Sequence, residues 1–508
     1  MSVRFPCRAA HRGPSSLLTL VLLAAPLAGQ QPWPGRDRLE AERCRPASGD
    51  GAAWLARAGE ATGLAALRSG LRFRATESDA QFFQSDRMVP PFIGSATAYE
   101  FTFEPAGGAE QAVLLVPGGG RGRTLIRTPQ ALFGVRDTTL VPAAAAFRQF
   151  ETSRPLNPLA ILAEWRGAAA RVVAHCTFRD YPRVVLSRGV TGERLYLNAT
   201  SGVPVKYERV ESHVLWGQVR AEYAYATWWQ AGPVMLPVVA VRYLDGVEQL
   251  RRDLRLPQTQ AETLADTVPL AAALARPLPV PLPDHTGSPD MSLRVVPVDT
   301  VRVDDQTFLL RTPMYTHAVT RVRDTVYLFD ATTAEWRSRA DSAWIATLFP
   351  GARAMVLVVT DLAWPHVSGV RYWAARGAAI ATHRLSLPFL RQLIDRRWTL
   401  APDARERGRG AAARTRWITV DSATSLAGGA VRLHVIDGVS SEGALMAMLD
   451  GSGLLWAGDY IQAADEPSVY AREVIAAAGR AGFHPTHAAA QHLPLTPWTD
   501  VTRANPSP

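Results

Sequence analysis

The rhythm of apolar positions changes several times along the chain. Leu17 to Ala28, LLTLVLLAAPLA, is a continuous apolar run near the N-terminus. From Asp50 to Ser69 the pattern is alanine-rich and helical, with Trp54, Leu55, Leu64 and Leu67. After that, LRFRATES, ATAYEFTFEP and QAVLLVPGGG alternate, or carry β-branched and aromatic residues bounded by Gly and Pro, which predicts strands. PLAILAEW (Pro158 to Trp165) predicts a short helix opened by proline. GERLYLNATSGVPVKYERVES predicts two strands joined by a Ser-Gly turn, and QVRAEYAYATWW and VMLPVVAVRYLDGVEQL extend the series. These segments are expected to form a twisted antiparallel sheet with a few helices on one side.

The alternating prolines of ARPLPVPLPDHTGSPD (Ala275 to Asp290) predict an extended, semi-rigid spacer and the main domain boundary. Beyond it LRVVPVDTVRV, QTFLLRT and DTVYLFDAT predict strands. AEWRSRADSAWIATLF predicts a helix with Trp336, Ala340, Trp344 and Leu348 on one face. AMVLVVT is a continuous apolar strand, followed by a helix, a short strand at AAIAT and a helix at LPFLRQLIDRRW. Strands follow at TRWITV, AVRLHV, ALMAML and GLLWAGD, then a helix over Val469 to Ala478. The fold class is α+β. The expected division is a leader at 1–30, a β-rich domain at 31–274, a linker at 275–290 and an αββα domain at 291–508.

At 508 residues the chain is too long for one compact core, which agrees with that division. An apolar fraction of 47% against 20% charged excludes a largely disordered chain. The net charge is +9, yet Lys206 is the only lysine and no dense basic run appears. The charge therefore reads as general arginine richness, and no nucleic-acid partner is expected. Arg4, Arg8 and Arg12 precede the apolar run, and small residues end it, which predicts a secretory signal peptide and a periplasmic or secreted protein. The run is short for a spanning helix, so an uncleaved anchor is the lesser alternative. No transmembrane segment is expected after its removal. Cys44 and Cys176 lack CxxC spacing, so neither a disulfide framework nor a cysteine zinc cluster is expected. A single bridge between them stays open. PGGGRGR (Pro117 to Arg123) lacks the lysine and the helix of a phosphate loop and reads as a hairpin turn.

Three stretches of the second domain resemble the metallo-β-lactamase fold superfamily in order and spacing. They are DTVYLFDAT through LFPGARAMVLVVTD, VVTDLAWPHVSGVRYWAARGAAIATH, and LHVIDGVSSEGALMAMLDGSGLLWAGDYI. QHLPLTPW near the C-terminus fits the family's final histidine loop. The resemblance covers about two-fifths of the chain. ATSGVPVKYE and WGQVRAEYAYATWWQAGPVMLPVVAVRYLDG in the first domain resemble the curved-sheet domains of bacterial envelope lipoprotein carriers. That resemblance implies an apolar concave face for a lipid-like or small-molecule substrate, which the chain does not identify. A leader domain without a ligand is the alternative.

The metal motif implied by the superfamily is eroded. Asp361 stands at the first histidine position, Ala363 at the second and Pro365 at the aspartate, while the closing His366 is kept. Ser440 stands at the middle histidine. Asp459, within AGD, keeps the bridging aspartate, and the last histidine is His492, with His487 as a competing alignment. The implied metal ligands are His366, Asp459, His492 and Asp361, with Asp459 and Asp361 as the catalytic residues. Ala363 and Pro365 supply no donor atom, so at most one ion is expected, zinc by preference, serving a hydrolase through one metal-activated water. The rival is a binding or scaffold protein that kept the fold and lost the chemistry. His383 reads as a helix-entry residue, and His317, His434 and His484 carry no motif. GVSSEG lacks the elbow of a serine nucleophile. Trp364 reads as core or pocket lining.

Overall fold

The computed structural model describes residues 42–506, apart from 69, 81–93, 106–108, 117–120, 129–131, 137–138, 143–152, 190–191, 214, 256–261, 265–296 and 410–413. The expected signal peptide and the proline-rich spacer lie outside the described residues. The N-terminal domain begins with β1 (Arg43–Asp50), α1 (Ala52–Ala61), β2 (Gly70–Asp79), β3 (Ser95–Glu104) and β4 (Ala109–Leu115). Next come β5 (Arg121–Arg127), β6 (Leu132–Arg136), β7 (Thr139–Pro142), α2 (Pro158–Trp165), β8 (Arg171–Phe178), β9 (Tyr181–Arg188) and β10 (Glu193–Asn198). It ends with β11 (Pro204–His213), β12 (Gly217–Ala231), β13 (Val234–Leu244), β14 (Val247–Leu254) and β15 (Glu262–Leu264). All fifteen strands join one sheet in the order β1-β8-β9-β10-β11-β12-β13-β14-β2-β3-β4-β5-β6-β7, with β15 beside β2.

Alternation decides which face turns inward. In β2, Leu71, Phe73 and Ala75 join the core while Arg72 and Arg74 turn out. α1 and α2 cover this inner face with Ala58, Leu159, Ile161 and Trp165. Asn157 caps α2 by accepting from Leu159 N at 3.2 Å. The inner face is largely apolar but also carries buried charged pairs. Arg252 donates to Glu77 at 2.9 and 2.7 Å, and Arg242 and Arg209 donate to Glu211 at 2.7 and 2.6 Å. Asn157 reaches Glu110 at 3.3 Å. All of these side chains are buried, and a charge is held there only because its partner is held with it. The bridge left open by the sequence is present. β1 and β8 set Cys44 opposite Cys176, and the two are joined as a disulfide.

The C-terminal domain has two sheets. The first holds β16 (Asp299–Arg302), β17 (Thr307–Arg311), β18 (Thr316–Val322), β19 (Thr325–Phe329), β20 (Ala354–Val359), β21 (Ala379–His383) and β22 (Trp417–Val420), in that spatial order. Between these strands lie α3 (Glu335–Leu348), α4 (Trp364–Val367), α5 (Val370–Ala375), α6 (Leu387–Asp395) and α7 (Ala404–Arg407). The second sheet is β23 (Ala423–Leu426), β24 (Val431–Val435), β25 (Leu445–Leu449), β26 (Leu454–Trp456), β27 (His487–Ala489) and β28 (Thr496–Pro497). It carries α8 (Val469–Arg480) and ends in α9 (Trp498–Ala504). Phe329, Val356, Val358, Ala381, Leu433, Ala447 and Trp456 meet between the sheets. The alternate residues Leu328, Leu357, Val359 and Ile380 face the helices α3, α5 and α6, and Met446, Met448 and Leu455 face α8. Each sheet is thus buried on both faces, which is why AMVLVV reads as a continuous apolar run.

The helical face expected for α3 is corrected. Trp336, Ala340, Trp344 and Leu348 are half-buried, while Arg337, Ser338, Asp341 and Ile345 point fully inward. The inward face is polar because its charges satisfy one another, as described below. No described helix is long and apolar enough to cross a membrane.

The two domains share a buried joint. Arg396, just past α6, donates to Trp216 O and Gln218 O, both at 2.7 Å, and to Asp245. Trp216 packs edge-on against Phe389 at 4.8 Å. Gly217 has φ +64°, and a Cβ there would lie 1.9 Å from the Trp398 ring. Only glycine lets the β-domain backbone reach the Trp398 ring, just past α6, this closely.

Candidate active site

β20 is an apolar strand between helices and sheet, and it delivers Thr360 and Asp361 just past its C-terminal end. Asp361 Oδ1 accepts from Ala363 N at 2.8 Å and from His366 Nδ1 at 2.6 Å. The aspartate therefore both shapes the turn into α4 and fixes the imidazole, leaving Nε2 of His366 pointing away from it. Gly369 follows, and a Cβ there would lie 2.1 Å from Ser338 Oγ, so glycine lets α5 settle on α3. Across the gap, Gly458 has φ +59°, and a Cβ there would lie 2.5 Å from Thr360 Oγ1. This close approach puts Asp459 beside His366.

Two of the expected residues, His366 and His492, flank a third, Asp459, and the fourth, Asp361, holds His366 from behind. Asp459 Oδ2 lies 3.8 Å from His366 Nε2, and Oδ1 lies 3.4 Å from His492 Nε2. The first separation is too long for a hydrogen bond. His366 Nε2 and Asp361 Oδ2 are buried without a partner. Gln462 donates to Asp459 Oδ1 at 2.8 Å. His492, not His487, faces Asp459. His487 lies in the β27 ladder opposite Pro497, with Nδ1 3.0 Å from Thr486 Oγ1. Tyr315 leans on both site histidines, with ring centres 5.0 Å from His492 and 6.5 Å from His366. A cavity of about 570 Å³ opens here, lined by Arg311, Met314, Tyr315, Gln491, His492 and Pro494.

Other expected positions stand apart. Ser440 N and Ser441 Oγ are tied to Glu473 at 3.0 and 2.7 Å, so the serine pair is anchored to α8. His383 accepts from Leu385 N at 3.3 Å and reaches Asp421 O at 3.1 Å, a brace at the entry to α6. His434 donates to Val435 O at 2.7 Å. The side chains of Trp364 and Pro365 lie outside the described ones.

Two buried supports carry no local sequence signature. Asp330, in DTVYLFDAT, accepts from Thr360 N and Oγ1, Trp456 Nε1 and Gln491 Nε2, at 2.8–3.1 Å. It ties β19, β20, β26 and the His492 loop together under the site. His317 Nδ1 donates to Asp341 Oδ2 at 2.7 Å, and its Nε2 accepts from Thr332 N at 3.0 Å. Arg337 completes that brace on Asp341 Oδ1 at 2.8 Å. Four donors converging on one DAT aspartate is a tertiary pattern, and no local motif announces it.

The electrostatics follow from three acids around one imidazole. Burial works against charge on His366, but Asp361, then Asp459 and Asp330, outweigh it and raise its pKa to about 9. Burial raises Asp459 to about 7 against the pull of His366, with Asp361 and Asp330 adding to the rise. Burial pushes Asp330 up, and burial lowers His492 and His317. For the metal-free chain the sign is then fixed. His366, raised above 6.5, stabilises fully below that pH and loses its contribution as pH climbs through about 9. Asp459, raised above 3.8, makes the folded state lose stability as pH rises toward about 7. Both bind more protons when folded. The lowered His317 and His492 act the other way only below about pH 6.5, so urea unfolding of chelator-treated protein should show a loss on the order of 3 kcal/mol between about pH 6.5 and 9. A flat profile over that range would remove the cluster's assigned charges.

A metal can be tested against these residues. Among the described residues, only Glu42, Cys44 and Cys176 bring three donor atoms within 4.8 Å of one another, and the two sulfurs are already bonded to each other. His366, Asp459 and His492 form a chain with Asp459 in the middle. Donors bound to one tetrahedral zinc at about 2.0–2.1 Å stand roughly 3.4 Å apart. The separations of 3.4 and 3.8 Å are near that value, and the orphaned Nε2 of His366 faces the gap. The donor types suit one ion, but the two separations run to different oxygens of Asp459 and the three donors are not gathered within 4.8 Å of one another, so the side chains would have to close in around it. They do not fit two, because Ala363 has no donor and Ser440 is held by Glu473.

No protein-family model and no curated protein matches the chain. Among solved structures, it is similar to the DIM-1 metallo-beta-lactamase, with 11% identity and a TM-score of 0.33 over 42% of this chain and 96% of that one. It is similar to a metallo beta lactamase from Erythrobacter litoralis, with 17% identity and a TM-score of 0.33 over 42% and 96%. A LolA superfamily protein, NE2245 from Nitrosomonas europaea, gives 13% identity and a TM-score of 0.30 over 42% and 98%.

Proposed function

We propose that the chain is an exported protein whose C-terminal αββα domain is of the metallo-β-lactamase type. In this reading it holds one divalent ion, zinc by preference, between His366, Asp459 and His492, and acts as a hydrolase. The observation that carries the reading is the buried, unpartnered Nε2 of His366, aimed at a gap shared with Asp459 and lying beside His492. An orphaned buried nitrogen is costly unless something fills that gap. When bound, the ion would supply Lewis acidity and lower the pKa of a coordinated water. The chain's own residues do the rest. Asp361 acts through His366 and is a positioning residue, because its Oδ1 is committed to His366 Nδ1 and Ala363 N. Asp459 lies between His366 and His492, where its carboxylate would be the shared ligand. Tyr315 and His492 wall the cavity in which a small substrate would lie.

The second reading, a binding protein without chemistry, is favoured by Ala363 and by the Ser440–Glu473 tie. Zinc analysis decides between them. The purified chain is expected to hold close to one equivalent after zinc loading, and a His366→Ala, His492→Ala double variant close to none. Affinity should fall with falling pH, because protons compete for the histidines. Equal metal in parent and variant, or none in the parent, leaves the binding-protein reading.

A further inference from the structure

A second cavity lies at the opposite end of the same sandwich. It is a groove of about 690 Å³ between the C-terminal ends of α3 and α5 and the starts of β20 and β22. The six residues of β20 separate it from Asp361 by about 20 Å. Its floor is apolar, formed by Ile345, Phe349 and Met355. Arg353, Arg376, Arg414 and Arg416 line it, and no acidic residue does. All four arginines are exposed, and none has an ion-pair partner among the described residues. This departs from the habit of the chain, whose arginines elsewhere pair widely with Asp and Glu. Trp373 and Thr415 also line the groove, and Trp373 is only 2% exposed.

We propose that this groove binds a single-chain amphiphilic oxyanion, with a phosphate or carboxylate head on an acyl chain. Guanidinium groups present paired N–H donors that match either head. The apolar floor gains from covering by hydrocarbon. The volume is that of an ordinary small-molecule pocket. The alternative is that Arg353 and Arg376 only offset the negative C-terminal ends of α3 and α5. In that case nothing binds, and neutralising them changes stability alone.

The test uses the full chain, titrated calorimetrically with dodecyl phosphate, dodecanoate, dodecanol and inorganic phosphate, each below its aggregation concentration. One-to-one binding of dodecyl phosphate or dodecanoate is expected, at least tenfold tighter than dodecanol or inorganic phosphate. The tighter of the two amphiphiles identifies the head group. An Arg376→Gln, Arg416→Gln variant should lose at least tenfold while keeping its thermal transition, since both side chains are exposed. An Ala346→Trp variant, filling the groove, should lose binding without a change in charge. Binding unaltered in both variants, dodecanol binding as tightly as the amphiphilic anions, or no saturable binding at all would overturn the proposal.

Discussion

Replacing Arg337 with methionine should cost about 3–5 kcal/mol of stability, the usual scale for breaking a buried ion pair by removing one partner. Arg337 is fully buried on α3. Its Nε donates to Asp341 at 2.8 Å, and its two Nη atoms donate to Leu310 O at 2.8 Å, Thr312 Oγ1 at 3.1 Å and Tyr315 O at 3.3 Å. Burial works against the charge on Asp341, but His317 and Arg337 together hold its pKa below the usual value. Without the guanidinium, Asp341 keeps only the His317 contact in an interior that disfavours its charge. Methionine matches the length of the stem but supplies none of the donors. Equilibrium urea unfolding measures the loss, which should be larger at pH 8 than at pH 5, where the carboxyl can take up a proton. A loss below 1 kcal/mol would mean that the brace is replaceable by packing. Tyr315, beside both site histidines, should shift with it, so zinc uptake is expected to weaken in the same variant.

Cleavage of the chain between residues 275 and 290 is expected to leave a particle that migrates as one. The proline-rich composition predicts ready proteolysis there and, by itself, two separate fragments. The buried joint argues that the fragments stay together. Trp216 is 1% exposed and packed on Phe389, and Arg396 satisfies two backbone carbonyls and Asp245 across the interface. Trp216→Ala should cost about 3–5 kcal/mol, as for other buried aromatics. In the cleaved protein that variant should let the halves part on gel filtration. Halves that separate already in the wild type would show the joint to be weak.

What could be read from the sequence followed burial. Strands with one buried face announced themselves by alternation, as in LRFRATES, and strands buried on both faces by continuous apolar runs, as in AMVLVV. β1, RCRPASGD, is mostly exposed and carries proline and glycine, so nothing in its pattern marks a strand. Its pairing depends on β8 and the disulfide. The inward face of α3 was misplaced because charged side chains are scored as outward-facing unless their partners are known. Arg337, Asp341 and His317 become legible as a core only in three dimensions. At the site, motif order located His366, Asp459 and His492. Asp330 escaped because its role is to accept donors from three separate segments. The charged pairs buried in the inner face of the first domain were hidden for the same reason, since Glu77 and Arg252 lie 175 residues apart.

That separation also sets a clock. β2 lies between β3, its near neighbour in the chain, and β14, which is among the last strands of the domain to be made. At roughly 5–20 residues per second of synthesis, Arg252 emerges about 10–35 s after Glu77. For that interval one edge of β2 has no native neighbour, and Glu77 has no arginine to neutralise it. β1 waits similarly for β8. The first domain therefore cannot assemble strand by strand as it appears. It must close in a late step, when the last third of the sheet returns to meet the first, and until then its open edges are exposed to any other strand nearby.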